Sequence, residues 1–177
     1  MDFVVAIQCY KDKDDKGFIL KELAVYNMES HCMGLWHFLP PYGKFEQTVR
    51  QKVTNNWVEN NLHGIPWEFG YSQQGTVGSV LQSVIPKNAY ANIYCKGHEV
   101  KKFLEEKSGY TVTDVNNNAE YLKQSLCLNL PTIIPQEKCT VHDGTCFHKQ
   151  CCLMKVLKIA QVLNTSDSIV CEDVCGH

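Results

Sequence analysis

Phe3-Val4-Val5-Ala6-Ile7-Gln8-Cys9 is a β-branched, apolar run with no polar residue before Gln8. A half-wet strand alternates in polarity, so a run this uniform reads as a strand buried on both faces. Lys11-Asp12-Lys13-Asp14-Asp15-Lys16-Gly17 follows as a charged turn ending in glycine. Phe18 to Tyr26 reads as a second strand and Met33 to Leu39 as a third, stopped by Pro40-Pro41. Three strands joined by short turns make an antiparallel meander.

Downstream the period changes. Phe45, Val49, Val53 and Trp57 recur every four residues, which predicts the apolar face of a helix whose other side is polar and which carries Lys44, Arg50 and Lys52. His63-Gly64-Ile65-Pro66-Trp67-Glu68 breaks it, and a second helical pattern covers Val77 to Val84. Tyr90 to Cys95 reads as a strand. Glu99 to Glu106 reads as a helix with Val100, Phe103 and Leu104 as its stripe, and Tyr110 to Val115 as a fifth strand. Ala119 to Leu126 is predicted helical, Leu130 to Pro135 a linker, and Leu153 to Leu163 a strongly apolar last helix. Residues 1–163 therefore read as one domain and 164–177 as a flexible polar tail. The order is that of an α/β protein: a mixed sheet of three antiparallel strands followed by alternating helices and strands.

The bulk composition fits one globular domain: 177 residues, 44% apolar, 20% charged. The net charge is −2 and Arg50 is the sole arginine, so the basic excess of a dedicated nucleic-acid binder is missing, although a local basic groove remains open. The N-terminus has neither a cationic n-region nor a long apolar core. No apolar run approaches the roughly 18 residues of a membrane span. The expectation is a cytoplasmic or nuclear protein that does not engage a membrane.

Ten cysteines then read as thiols or metal ligands rather than disulfides. Cys9, Cys32, Cys95 and Cys127 are scattered, while Cys139, Cys146, Cys151 and Cys152 crowd together with His142 and His148. Cys139-x2-His142 lets two neighbouring side chains reach one zinc ion, and Cys151 or Cys152 closes the loop as a third ligand. The fourth comes from Cys146, from His148 or from elsewhere in the fold. The competing reading is a loop of free thiols. A second, weaker metal site could use Cys171, Cys175 and His177.

Leu20 to Asn27, His63-Gly64-Ile65, Ile93-Tyr94-Cys95-Lys96 and Cys139-x2-His142-x8-Cys151 together resemble the Maelstrom domain, a ribonuclease H-like fold derived from DEDDh exonucleases. The resemblance spans residues 3 to 163. It implies a Glu-Cys-His-Cys zinc site, which here becomes Glu22, Cys139, His142 and Cys151, with Cys152 as the alternative to Cys151. It also places the exonuclease carboxylates, and none is retained. Ala6-Ile7-Gln8 stands for Asp-x-Glu on the first strand, Val100 with Glu99 beside it for the second aspartate, and Leu153 for the last. Two-metal hydrolysis needs oxygen ligands holding two cations about 4 Å apart, and alanine supplies none.

Three functions compete. The first is a catalytically degenerate exonuclease fold that binds single-stranded RNA, which the resemblance implies for transposon or small-RNA (piRNA-type) silencing. Its candidate contacts are Arg50, Lys52, Lys96, His98, Lys101 and Lys102, with Lys44 beside them and Trp67 or Tyr71 as stacking surfaces. The second is a scaffold for a protein partner, docking through Trp36-His37-Phe38-Leu39-Pro40-Pro41-Tyr42. The third is a metal-independent ribonuclease using His63, His98 or His148.

Overall fold

The computed structural model describes residues 1–13, 17–87, 90–119, 121–123 and 151–169, with side chains through residue 164 in the last segment. Strands β1 (Asp2–Lys11), β2 (Phe18–Asn27), β3 (Met33–His37), β4 (Asn92–Cys95) and β5 (Thr113–Asp114) form one sheet in the order β3-β2-β1-β4-β5. The first three are antiparallel neighbours, while β4 joins β1, and β5 joins β4, in parallel. Helices α1 (Val49–Val58), α2 (Val77–Val84), α3 (His98–Ser108) and α4 (Cys152–Ile169) pack around it, with a π-type turn at Glu59–His63 and 3-10 turns at Lys44–Glu46, Gln74–Thr76 and Val115–Asn117.

β1 is apolar from Phe3 to Ile7 because it serves two cores. Phe3, Val5 and Ile7 pack with Leu23 and Val25 against Val77, Leu81, Phe103 and Leu104 of α2 and α3. Val4 and Ala6 pack with Ala24 and Tyr26 against Cys152, Val156, Ile159 and Ala160 of α4. Alternate side chains of a strand face opposite ways, so each core takes every second residue. Gly78 lets α2 approach α3, since a Cβ there would lie 2.3 Å from the Lys107 carbonyl oxygen.

The β1–β2 register slips between Gln8 and Cys9, which leaves Lys21 as the extra residue of a β-bulge. A bulge re-aims a side chain. Here the fully buried Lys21 donates from Nζ to the carbonyl oxygens of Trp67, at 2.7 Å, and Phe69.

The structure inverts α1. Phe45, Val49, Val53 and Trp57 are all exposed, at 57% or more, and Gln51 and Asn55 are its buried residues. Asn55 accepts the Lys11 N–H at 3.0 Å and donates to the Lys11 carbonyl at 3.1 Å, and Gln51 donates to that carbonyl as well. The helix thus docks through amides on the open edge of β1, where β4 pairs only as far as Val4. A capping box between Thr48 and Gln51 fixes its start.

Other expectations change as well. The fifth strand shrinks to Thr113–Asp114, because Val115–Asn117 turns as a 3-10 helix. In the stretch from Trp36 to Tyr42, Trp36 and Tyr42 are half-buried and Leu39 is exposed. Phe38 is fully buried, His37 is buried against the sheet, and Tyr42 packs on Trp67. α4 continues through Ile169, past the Leu163 at which the apolar pattern stops.

Candidate functional site

Two features lie on the sheet face that carries α4. The first is a row of polar residues directly opposite one another on β1, β2 and β3: Gln8, Glu22 and His37. Paired cross-strand residues point to the same face, and Glu22 shares the parity of Ala24, which packs on α4.

Glu22 is fully buried. A lone carboxylate there would carry a large desolvation penalty, so its partners matter. Its Oε1 lies 3.3 Å from His37 Nε2, and its Oε2 accepts the Cys152 N–H at 3.1 Å. That amide belongs to the first turn of α4, where the helix dipole also favours an anion. The Cys152 Sγ lies 3.8 Å from the Glu22 carbonyl oxygen. Burial, then the adjacent carboxylate, pushes the Cys152 thiol well above its usual range, so zinc binding there would have to displace a proton.

Of the predicted zinc ligands, Glu22, Cys151 and Cys152 are described and all three are buried. Cys139 and His142, like Cys146, His148, Cys171, Cys175 and His177, lie outside the described residues. Among the described residues no three His, Cys, Asp or Glu side chains meet as a metal site. The donor chemistry suits zinc: a buried carboxylate abuts the helix turn bearing two thiols. His37, absent from the predicted set, would serve as a ligand or would orient Glu22 from behind. It was legible only through the β2–β3 register.

The second feature is a cavity of about 300 Å³ between the sheet and α4, lined by Val5, Ala6, Ile7, Lys96, Val100, Tyr121, Lys155, Lys158 and Ile159. Lys155, Lys158 and Ile159 lie within one turn of α4 and share a face. Lys96 follows β4 and is held by a built corner. Gly97 takes φ 108, a conformation suited to glycine, and donates its N–H to the buried Asp114 carboxylate at 2.8 Å. Ala6 and Val100, two positions at which the exonuclease resemblance expects aspartate, line this one cavity. None of the nine lining residues is acidic and three are lysines.

Of the six predicted nucleic-acid contacts, only Lys96 lines the cavity. His98 and Lys102 are exposed on α3, and Lys101 pairs with Glu105 at 3.7 Å. Arg50 and Lys52 sit on α1, and Lys44, just before it, pairs with Glu59. Trp67 is buried and donates to the Tyr42 carbonyl, so it offers no stacking face, whereas Tyr71 is exposed. His63 is fully buried, its Nδ1 accepting the Ile65 N–H, which removes it from contact with any solvent-borne substrate. Sequence reasoning missed Lys155 and Lys158. Their signal was two cations three residues apart in the apolar first half of the last helix.

No helix among the described residues is long and apolar enough to cross a membrane. No family model matches the chain. No curated protein matches it either. Among solved structures it is similar to the Mopeia virus exonuclease domain, in a form fully depleted of manganese. The TM-score is 0.56 at 18% identity, over 92% of this chain and 76% of that one. That likeness shows the fold: a ribonuclease H-like α/β architecture.

Proposed function

We propose that this is a catalytically degenerate exonuclease-like domain that binds single-stranded RNA and is stapled by a structural zinc. The Maelstrom resemblance adds a place in transposon or small-RNA silencing. The observation that carries the reading is the charge of the α4 cavity, where Ala6 and Val100 meet three lysines and none of the described lining residues is acidic. Such a site cannot assemble two hard cations, but it attracts phosphate. The zinc would hold Glu22 of β2 against the start of α4 and take no part in chemistry.

The test is retention of labelled single-stranded RNA across a salt series, with and without Mn²⁺. Binding that weakens steeply with salt, and RNA that stays intact with Mn²⁺, are the expected results. Manganese-dependent shortening of the RNA would overturn the loss of catalysis. Absence of any shift at low salt would overturn RNA binding and favour the second reading, a protein-interaction scaffold. That reading draws on the exposed apolar residues of the α1 region, Phe45, Val49, Val53 and Trp57. Loss of RNA without added metal, abolished by a His98 substitution, would revive the metal-independent ribonuclease.

A further inference from the structure

We infer that the outer face of α1 is the contact of a weak two-fold dimer, in which a second copy of this chain packs antiparallel across Phe45, Val49, Val53 and Trp57. The inference stands apart from the RNA-binding reading, since none of these residues lines the α4 cavity. Three observations carry it. First, α1 turns its amphipathicity away from its own domain. Gln51 and Asn55 hold it to the Lys11 backbone, while Val49, Val53 and Trp57, at i, i+4 and i+8, are exposed. Residues four apart on a helix form one row, and a core-type row facing water marks an interaction surface. Second, the aromatic ahead of the row is built into place. Phe45 is exposed on the 3-10 turn Lys44–Glu46, and a Cβ at Gly43 would lie 2.5 Å from its ring, so glycine makes its seat. Glu46 accepts the Gly43 N–H at 3.0 Å and Glu68 the Lys44 N–H at 3.2 Å, which pins that turn. An aromatic on a held turn loses little freedom on binding, as an interface anchor requires.

Third, the size pattern Phe45, Val49, Val53, Trp57 reads the same in both directions: large, small, small, large. A two-fold interface joins a patch to itself, so it needs such a pattern. With the axis at the level of Gln51, Val49 faces Val53 of the second copy and Phe45 faces its Trp57. The small pair at the centre lets the helices approach, and the tilt of the row gives the crossing of about 50° that is common between packed helices. Area sets the strength. Four side chains at 57–83% exposure present on the order of 500 Å² per copy, so two copies bury about 1,000 Å². That is the lower end of specific interfaces and corresponds to a Kd of about 1–100 μM. The rim is mixed in charge, Glu46 and Glu59 with Lys44, Arg50 and Lys52, so it selects neither a strongly acidic nor a strongly basic partner.

The test is sedimentation of the full chain, treated with nuclease to remove any bound RNA, from below that Kd range to above it. Wild type should pass from monomer to dimer, and raised salt should change the midpoint little, because apolar burial drives the association. Val53→Lys and Val49→Glu should each stay monomeric, while melting as wild type does at concentrations below the Kd. An equal mixture of these two variants should recover dimers, since the antiparallel register sets the substituted positions opposite one another. A mixture of Val53→Lys with Val53→Glu should not. Tyr71→Ser, at an exposed aromatic outside the row, should leave the dimer intact.

Wild type that stays monomeric throughout overturns the inference, and so does a dimer that survives in folded Val53→Lys. Recovery by the Val53→Lys and Val53→Glu mixture alone overturns the antiparallel register. A monomeric wild type that Val53→Lys strongly destabilises would mean that a segment of this same chain covers the row, and overturns the dimer as well.

Discussion

The Cys152 amide donates to a carboxylate oxygen of Glu22 at 3.1 Å, tying the start of the last helix to the second strand across 130 residues of chain. The other oxygen faces His37 Nε2 at 3.3 Å. Glu22→Ala therefore strands a buried N–H and a buried imidazole, and should cost on the order of 2–4 kcal/mol. Urea or thermal melts measure it. Glu22→Gln keeps shape and one acceptor and should cost less. An alanine variant that melts with wild type would show that this junction bears no stability.

The same junction frames the zinc prediction. Purified protein should carry about one zinc per chain by elemental analysis, and Cys139→Ser or Cys151→Ser should lose it. A strong chelator should lower the melting temperature, because the metal's binding free energy is folding free energy. Metal-free protein that is folded and as stable as the loaded form would refute the site.

On α1 the prediction reverses the sequence pattern. Val53→Lys and Val49→Lys replace exposed side chains and should change stability by less than about 0.5 kcal/mol. Asn55→Leu, which is better by hydrophobicity, removes both bonds to the Lys11 backbone and should cost about 1–3 kcal/mol. Denaturant melts of the three variants decide the matter, and a costly Val53→Lys would place the apolar stripe in a core after all.

The meander and the last helix were legible because their residues are selected for burial, which leaves a period in the sequence. Phe3 to Cys9 is apolar on both faces, and both faces are covered. α1 was misread for a complementary reason. What fixes its orientation is the Lys11 backbone on the edge of β1 that β4 leaves open, and a backbone group has no side-chain signature. Phe45, Val49, Val53 and Trp57 kept the period of a core helix while Gln51 and Asn55 did the docking. The candidate site was legible in its chemistry and not in its assembly. Glu22 came from the family resemblance, whereas His37 required the strand register and Lys155 and Lys158 required knowing which face of α4 looks onto Ala6.

The dependence of stability on alkaline pH follows from opposed buried groups. Burial lowers the Lys21 ammonium from its ordinary 10.5 to about 8, outweighing the attraction of Glu68 and Glu59. Between those values the unfolded chain holds a proton that the folded one has released, so this group makes stability rise with pH. Cys95 and Tyr42 act with the opposite sign. Burial first, and Asp114 next, pushes the Cys95 thiol from 9.0 up to about 12. Burial is also the main cause that raises the Tyr42 hydroxyl from 10.0 to about 12. Tyr10 is raised as well, by burial and then by Glu59. Each keeps in the folded state a proton that the unfolded chain loses, so its contribution is complete below the unfolded value and declines above it, toward about 12 for Cys95 and Tyr42. Each group changes stability by up to about 1.4 kcal/mol per pH unit within its window. Lys21 acts alone from about 8 to 9; above 9 the buried thiols Cys9, Cys95 and Cys152 oppose it, and above 10 the raised tyrosines, Tyr42 and Tyr10 among them, do so as well. Urea melts should show a shallow rise to a maximum near pH 9, then a steep fall by pH 11. Lys21→Met should remove the rise and leave the fall, and stability that stays level from pH 8 to 11 in wild type would contradict the assignment.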